Sequence, residues 1–150
     1  MKPEKDMAEA NNQPARRKLH FETLDEILAD AQNAWDQGYE PIGNWSQGQI
    51  FSHLAIAMEA SLDGFKFKLF PPLRWFMTTF MRHRLLRDGF PSGIKLKGDA
   101  ARLLKPQPCT DREGLDRLTT AIHRLKSETQ RHPSPLLGEL TREQWDQFHC

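Results

Sequence analysis

The 150-residue sequence predicts an all-α helical bundle, and three observations carry that prediction. Ser or Thr stands three residues ahead of Glu or Gln at Thr23–Glu26, Ser46–Gln49, Thr110–Glu113 and Thr141–Gln144. Such a capping box lets two side chains satisfy backbone N–H groups that a helix start leaves without partners. Each box is followed by apolar residues spaced three and four apart, the period of a helix with one buried face. No alternating strand pattern organises the chain, and no internal repeat appears.

Residues 1–18 are polar, without apolar periodicity, and are expected to form a disordered leader ahead of a bundle over 19–150. The first helix is expected over 24–37, from the Thr23 cap to Gly38, with Leu24, Ile27, Leu28, Ala31, Ala34 and Trp35 facing inward. The second starts after Ser46, with Trp45 and Ile50 at the staple positions and a stop near Asp63-Gly64. Its expected core stripe is Ile50, Phe51, Leu54, Ala57, Met58 and Leu62. Ala55, Ile56 and Ala60 widen the apolar surface, as in the central helix of a bundle.

Pro71-Pro72 can open a third helix, with Leu73, Phe76, Met77, Phe80 and Leu85 at roughly helical spacing. Residues 88–109, rich in Gly and Pro, read as a long connection with a short helical turn near 99–104. The helix after Thr110 repeats Leu115, Leu118, Ile122 and Leu125, and should stop before His132-Pro133. The last helix, after Thr141 with Leu140 and Trp145 as staple, has room for few residues. Packing must hold it.

Composition narrows the function classes. The net charge of +1, from 21 basic and 20 acidic residues, offers no global field to recruit nucleic acid. Two cysteines, Cys109 and Cys150, do not make a disulfide framework, so a reducing cytoplasm is the expected setting. Met1 to Lys18 has no apolar run like that of a signal peptide. The longest apolar stretch, Ile50 to Met58, is too short to span a bilayer, so no transmembrane segment is expected.

No complete catalytic constellation is visible. HExxH, CxxC, GxGxxG, Walker and GxSxG patterns are all absent. Of the six histidines only His53 sits inside a strongly apolar helix, roughly 100° from the stripe centre on a bundle-facing flank. It reads either as a core-edge histidine or as a metal ligand. His149, on the last helix, reads as a fraying terminal residue or as a second ligand, and Cys150 as an exposed thiol. The 65–87 segment interleaves Lys66, Lys68, Arg74, Arg82, Arg84 and Arg87 with Phe65, Phe67, Phe70, Trp75, Phe76 and Phe80. It reads either as a bundle helix with its aromatics in the core, or as a patch for a partner, an anionic ligand or a membrane surface.

The run N-W-S-Q-G-Q-I-F-S-H-L, residues 44–54, resembles the DinB-like (damage-inducible B) superfamily, in which a Trp-Ser cap precedes a helix carrying His-Leu. The 133–149 stretch, P-S-P-L-L-G-E-L-T-R-E-Q-W-D-Q-F-H, is similar to the approach to the last helix in an uncharacterised bacterial branch of it. The resemblance covers about 20–149. It implies a four-helix bundle, often a homodimer, with a divalent ion such as zinc or nickel held by one histidine of the second helix and an HxxxH pair of the last. His53 matches the second-helix ligand, and His149 lies where the last-helix cluster begins. Relatives include metal-dependent transferases and isomerases that use small thiols such as bacillithiol or mycothiol. The implied function is therefore a divalent-metal-binding protein, a thiol-dependent transferase or hydrolase acting on a small molecule. Such relatives continue the last helix beyond the position of Cys150, so a truncated last helix and an incomplete metal site are expected. The alternative is a non-catalytic helical module that dimerises or binds a partner through 65–87.

Overall fold

The computed structural model describes residues 17–91, 95 and 97–150. These are all-α. The first two helices are α1, Leu24–Gln37, and α2, Gln47–Asp63. Next comes α3, over 71–88, which joins an α-helical start Pro71–Phe76, a π-helical stretch Met77–Met81 and an α-helical end Arg82–Asp88. Then follow α4, Gly98–Leu104, α5, Asp111–Ser127, and α6, Arg142–His149. Among the described residues the one β-type pairing is an isolated bridge between Ser134 and Gly138. The expected leader lies outside the described residues up to position 16. Arg17 of that segment grips Asp30 of α1 through two hydrogen bonds of 2.8 and 3.0 Å.

The caps explain where the helices begin. Ser46, Thr110 and Thr141 close reciprocal boxes. Thr23 caps the Glu26 N–H at 3.3 Å, but the Glu26 carboxylate accepts from the Glu22 N–H at 2.8 Å instead of returning to Thr23. Replacing Ser46 with Ala removes the acceptor 3.2 Å from the Gln49 N–H. The expected cost is about 1 kcal/mol, read as a lower urea midpoint with an unchanged slope.

The core falls into two clusters. The larger joins Leu24, Ile27, Ala31 and Ala34 of α1, Phe51, Ala55, Met58 and Leu62 of α2, and Leu115, Leu118, Ala121, Ile122 and Leu125 of α5. The smaller joins Leu85 and Leu86 of α3 to Leu137, Leu140 and Trp145, so the expected Leu140–Trp145 staple closes a core of its own. The α5 stripe is buried as expected.

The α2 stripe is rotated from the expected one. Its buried face runs through Gly48, Phe51, Ser52, Ala55, Met58, Ser61 and Leu62, while Ile50 and Leu54 are each 37% exposed. Small residues decide this. A Cβ on Gly114 would strike the backbone of Gly48, and a Cβ on Gly48 would strike the backbone of Thr110 and Asp111. The helices therefore meet backbone to backbone, and the face that permits this turns inward although Ile50 and Leu54 are more apolar. The Gly48 N–H also donates to the Asp111 carboxylate at 2.6 Å, using a helix-start donor across the crossing.

The α3 expectation fails more widely. Met77, Met81, Leu85 and Leu86 reach the smaller core, but Leu73, Phe76 and Phe80 do not: they are 47%, 47% and 60% exposed. The π-helical stretch supplies the reason. It does so only beyond Met77, where each i→i+5 turn holds an extra residue and moves Phe80 off the stripe; Leu73 and Phe76 precede it, on the opening turns Pro71–Phe76, all of whose residues are exposed.

Candidate functional site

His53 stands in the second turn of α2 beside the chain entry. Trp45, just ahead of the Ser46 cap, lies 5.0 Å from its ring centre to centre, at 54°. The His53 Nδ1 lies 2.7 Å from the Leu104 carbonyl oxygen. Leu104 ends α4, where carbonyls lack intrahelical partners. A carbonyl oxygen only accepts, so Nδ1 carries the proton. In the neutral ring this leaves the lone pair on Nε2, the tautomer that a histidine ligand binding through Nε2 adopts. His53 thus pins α4 to α2 with one nitrogen and keeps a donor on the other.

His149, in the last turn of α6, is half-buried where the sequence suggests fraying. Its ring stacks on Trp145 at 5.4 Å and 19°, and its Nε2 lies 3.2 Å from the Ser61 Oγ of α2. The Ser61 hydroxyl gives its single proton to the Met58 carbonyl at 2.6 Å. Its oxygen therefore accepts from His149, whose Nε2 carries the proton and whose Nδ1 holds the lone pair. The two histidines are opposite tautomers. Burial, and then the charge of Arg131, push the His149 imidazole down to about 3.

Around His149 the polar groups are tightly placed. The Arg131 guanidinium caps the end of α5, donating to the carbonyls of Leu125 and Glu128, each at 2.6 Å. Burial lowers its pKa and raises that of the Asp146 carboxyl. Arg131 Nε, Asp146 Oδ1 and Trp145 Nε1 are buried without a hydrogen-bond partner among the described residues. Cys150, expected to be exposed, is half-buried against the larger core, and burial raises its thiol pKa.

The described residues fit a metal only in part. His53 and Ser61, the partner of His149, are eight residues apart on α2, about 12 Å of helical rise. The structure gives the two histidines separate partners at separate turns, and among the described residues no three His, Cys, Asp or Glu side chains gather. His53 qualifies as one oriented donor. A closed ligand set is not built from the described residues.

The 65–87 segment forms a second candidate surface. Phe70 is 71% exposed and Trp75 63%, and Trp75 and Phe76 pack on Phe80 at 5.7 and 5.5 Å instead of entering the core. Its sequence carried a signal for this: four aromatics at 70, 75, 76 and 80 crowd a segment that also carries six basic residues, an unusual load for a core stripe. Nothing local in the sequence foretells the Leu104 and Ser61 partners of the two histidines, which lie 51 and 88 residues away along the chain.

No curated protein and no solved structure gives a significant match to the chain. A family model does, described as a protein of unknown function (DUF1569) and spanning residues 13–150. That match takes in both histidine turns, the α2–α5 crossing and the aromatic helix, and the chain belongs to the DUF1569 family.

Proposed function

We propose that this chain is a DinB-like bundle protein in which His53 is the preset donor of a divalent-metal site, for zinc or nickel. One observation carries the reading: the 2.7 Å bond from Nδ1 to the Leu104 carbonyl, which orients the ring and keeps the lone pair on Nε2. The described residues gather no group of three such donors, so the ion is expected to be held weakly. Transferase or hydrolase chemistry with a small thiol is the activity that the superfamily resemblance attaches to a completed site of this kind.

The test is metal titration of the untagged chain, followed by calorimetry. The wild type is expected to bind zinc or nickel weakly in the titration, as one oriented donor allows, and His53→Ala to weaken binding by roughly tenfold or more. His149→Gln is expected to leave it within about threefold, because its Nε2 is engaged by Ser61. A wild-type chain that binds no metal in the titration, or an affinity untouched by His53→Ala, overturns the reading.

The exposed aromatic helix favours a second reading: a non-catalytic module that docks a partner through 65–87. The two readings use different faces and are independent of each other.

A further inference from the structure

We propose that α3 seats this protein on an anionic membrane surface, with Phe70, Trp75, Phe76 and Phe80 entering the headgroup boundary and neighbouring Lys and Arg side chains meeting lipid phosphates. The inference rests on the reading of 65–87 as a docking face and names what docks there.

The geometry is that of a helix lying in an interface. One side of α3 is anchored by Met77, Met81, Leu85 and Leu86 to the smaller core. The other side is free along its first turns, where aromatic rings pack on one another and stay in solvent. A helix held flat in this way can bury its apolar side to headgroup depth without unfolding. No described helix is long and apolar enough to cross the bilayer.

The π-helical stretch prepares the backbone for that setting. At its entry the Met77 N–H donates to the Arg74 carbonyl within the helix. The Thr78 hydroxyl contacts the Arg74 and Trp75 carbonyl oxygens at 2.9 and 3.1 Å, which covers them with a polar group of the same helix. Backbone satisfied internally is what an apolar boundary demands.

Charge selects the occupant. Residues 65–90 carry six basic side chains against one acid, Asp88, in a chain whose overall charge is only +1. Asp88 is already paired with Arg87 at 2.7 Å. A second copy meeting this face would oppose like charges, whereas a surface of anionic lipid supplies the missing negative charge along its whole extent. Arg and Lys can lay their alkyl stems along the aromatics and hold their charged ends at phosphate level, and Trp favours the same depth.

The test is co-sedimentation of the full chain with phosphatidylcholine vesicles, with and without phosphatidylglycerol, at low and high salt. Binding is expected to be roughly tenfold stronger on the anionic vesicles at low salt and to weaken as salt is added. Trp75→Ser combined with Phe80→Ser should lower it by roughly tenfold or more, with the helical circular dichroism spectrum and urea midpoint kept, since both side chains lie outside the core. Lys66→Glu with Lys68→Glu should remove the preference for anionic lipid. A folded wild type that ignores anionic vesicles at low salt overturns the inference, as does binding indifferent to the Trp75 and Phe80 changes. Light scattering separates this failure from that of the docking face itself. A dimer dissolved by Trp75→Ser and Phe80→Ser would place a second copy on the face, keeping the docking reading and refuting the membrane.

Discussion

Gly114→Ala is expected to destabilise the fold by about 2–4 kcal/mol, lowering the midpoint of thermal unfolding by roughly 5–15 °C. Helix propensity argues for the opposite result. Gly114 lies inside α5, and an interior Gly→Ala change on an open helix surface stabilises by about 1 kcal/mol. The crossing with α2 reverses the sign, because the new Cβ would overlap the Gly48 backbone, which cannot rotate away as a side-chain end can. Relief requires the two helices to part. Parting them loosens Leu118, Ala121 and Ile122, each 0% exposed in the larger core, and stretches the 2.6 Å bond from the Gly48 N–H to Asp111. Gly43→Ala is the control. A Cβ there meets nothing within 4 Å, and its effect should stay within about 0.5 kcal/mol. A Gly114→Ala variant as stable as the wild type would mean that the helices do not meet at these glycines.

That crossing also shows how far the sequence could be read. Helix starts were legible because they are local: Ser46, Thr110 and Thr141 and the residues three places on are enough to define a cap. The stripe of α5 was legible because one apolar face stands against polar neighbours. In α2 nearly every side is apolar or small, so periodicity could not choose among faces. The choice fell to Gly48 and its contact with a glycine far along the chain. In α3 the π-helical stretch broke the expected period beyond Met77. For the candidate site the pattern is similar. His53 stood out by its place in an apolar helix, but the carbonyl that sets its tautomer belongs to α4. His149 looked terminal and mobile because its neighbours in sequence do not reveal Ser61 and Arg131, which bury and discharge it.

The same burial makes the stability of the fold sensitive to acid. In the unfolded chain a histidine titrates near 6.5, whereas the folded protein holds His149 neutral down to about 3. Above pH 6.5 both states are neutral and the fold keeps its full stability. As pH falls through the window from 6.5 toward 3, the unfolded chain takes up a proton that the folded chain refuses, and stability drops. The loss is expected to reach about 3 kcal/mol by about pH 4.5. Two sets of neighbours must be separated from it. The carboxyls of Asp63, Asp88, Glu113 and Glu143 are lowered by hydrogen bonds and ion pairs, so their stabilising share is lost only once pH falls into the carboxylate range. The raised Asp146 carboxyl works the other way: the folded state takes its proton first, which offsets part of the loss at the acid end. Urea midpoints at about pH 7 and about pH 4.5, for the wild type and His149→Gln, isolate the histidine. The amide of the variant can still donate to the Ser61 Oγ, and it has no charge to gain. The variant is expected to lose some stability at pH 7 with the Trp145 stack, and to lose about 3 kcal/mol less than the wild type between about pH 7 and about pH 4.5. Parallel slopes for the two proteins would place His149 in solvent, and with it the end of α6.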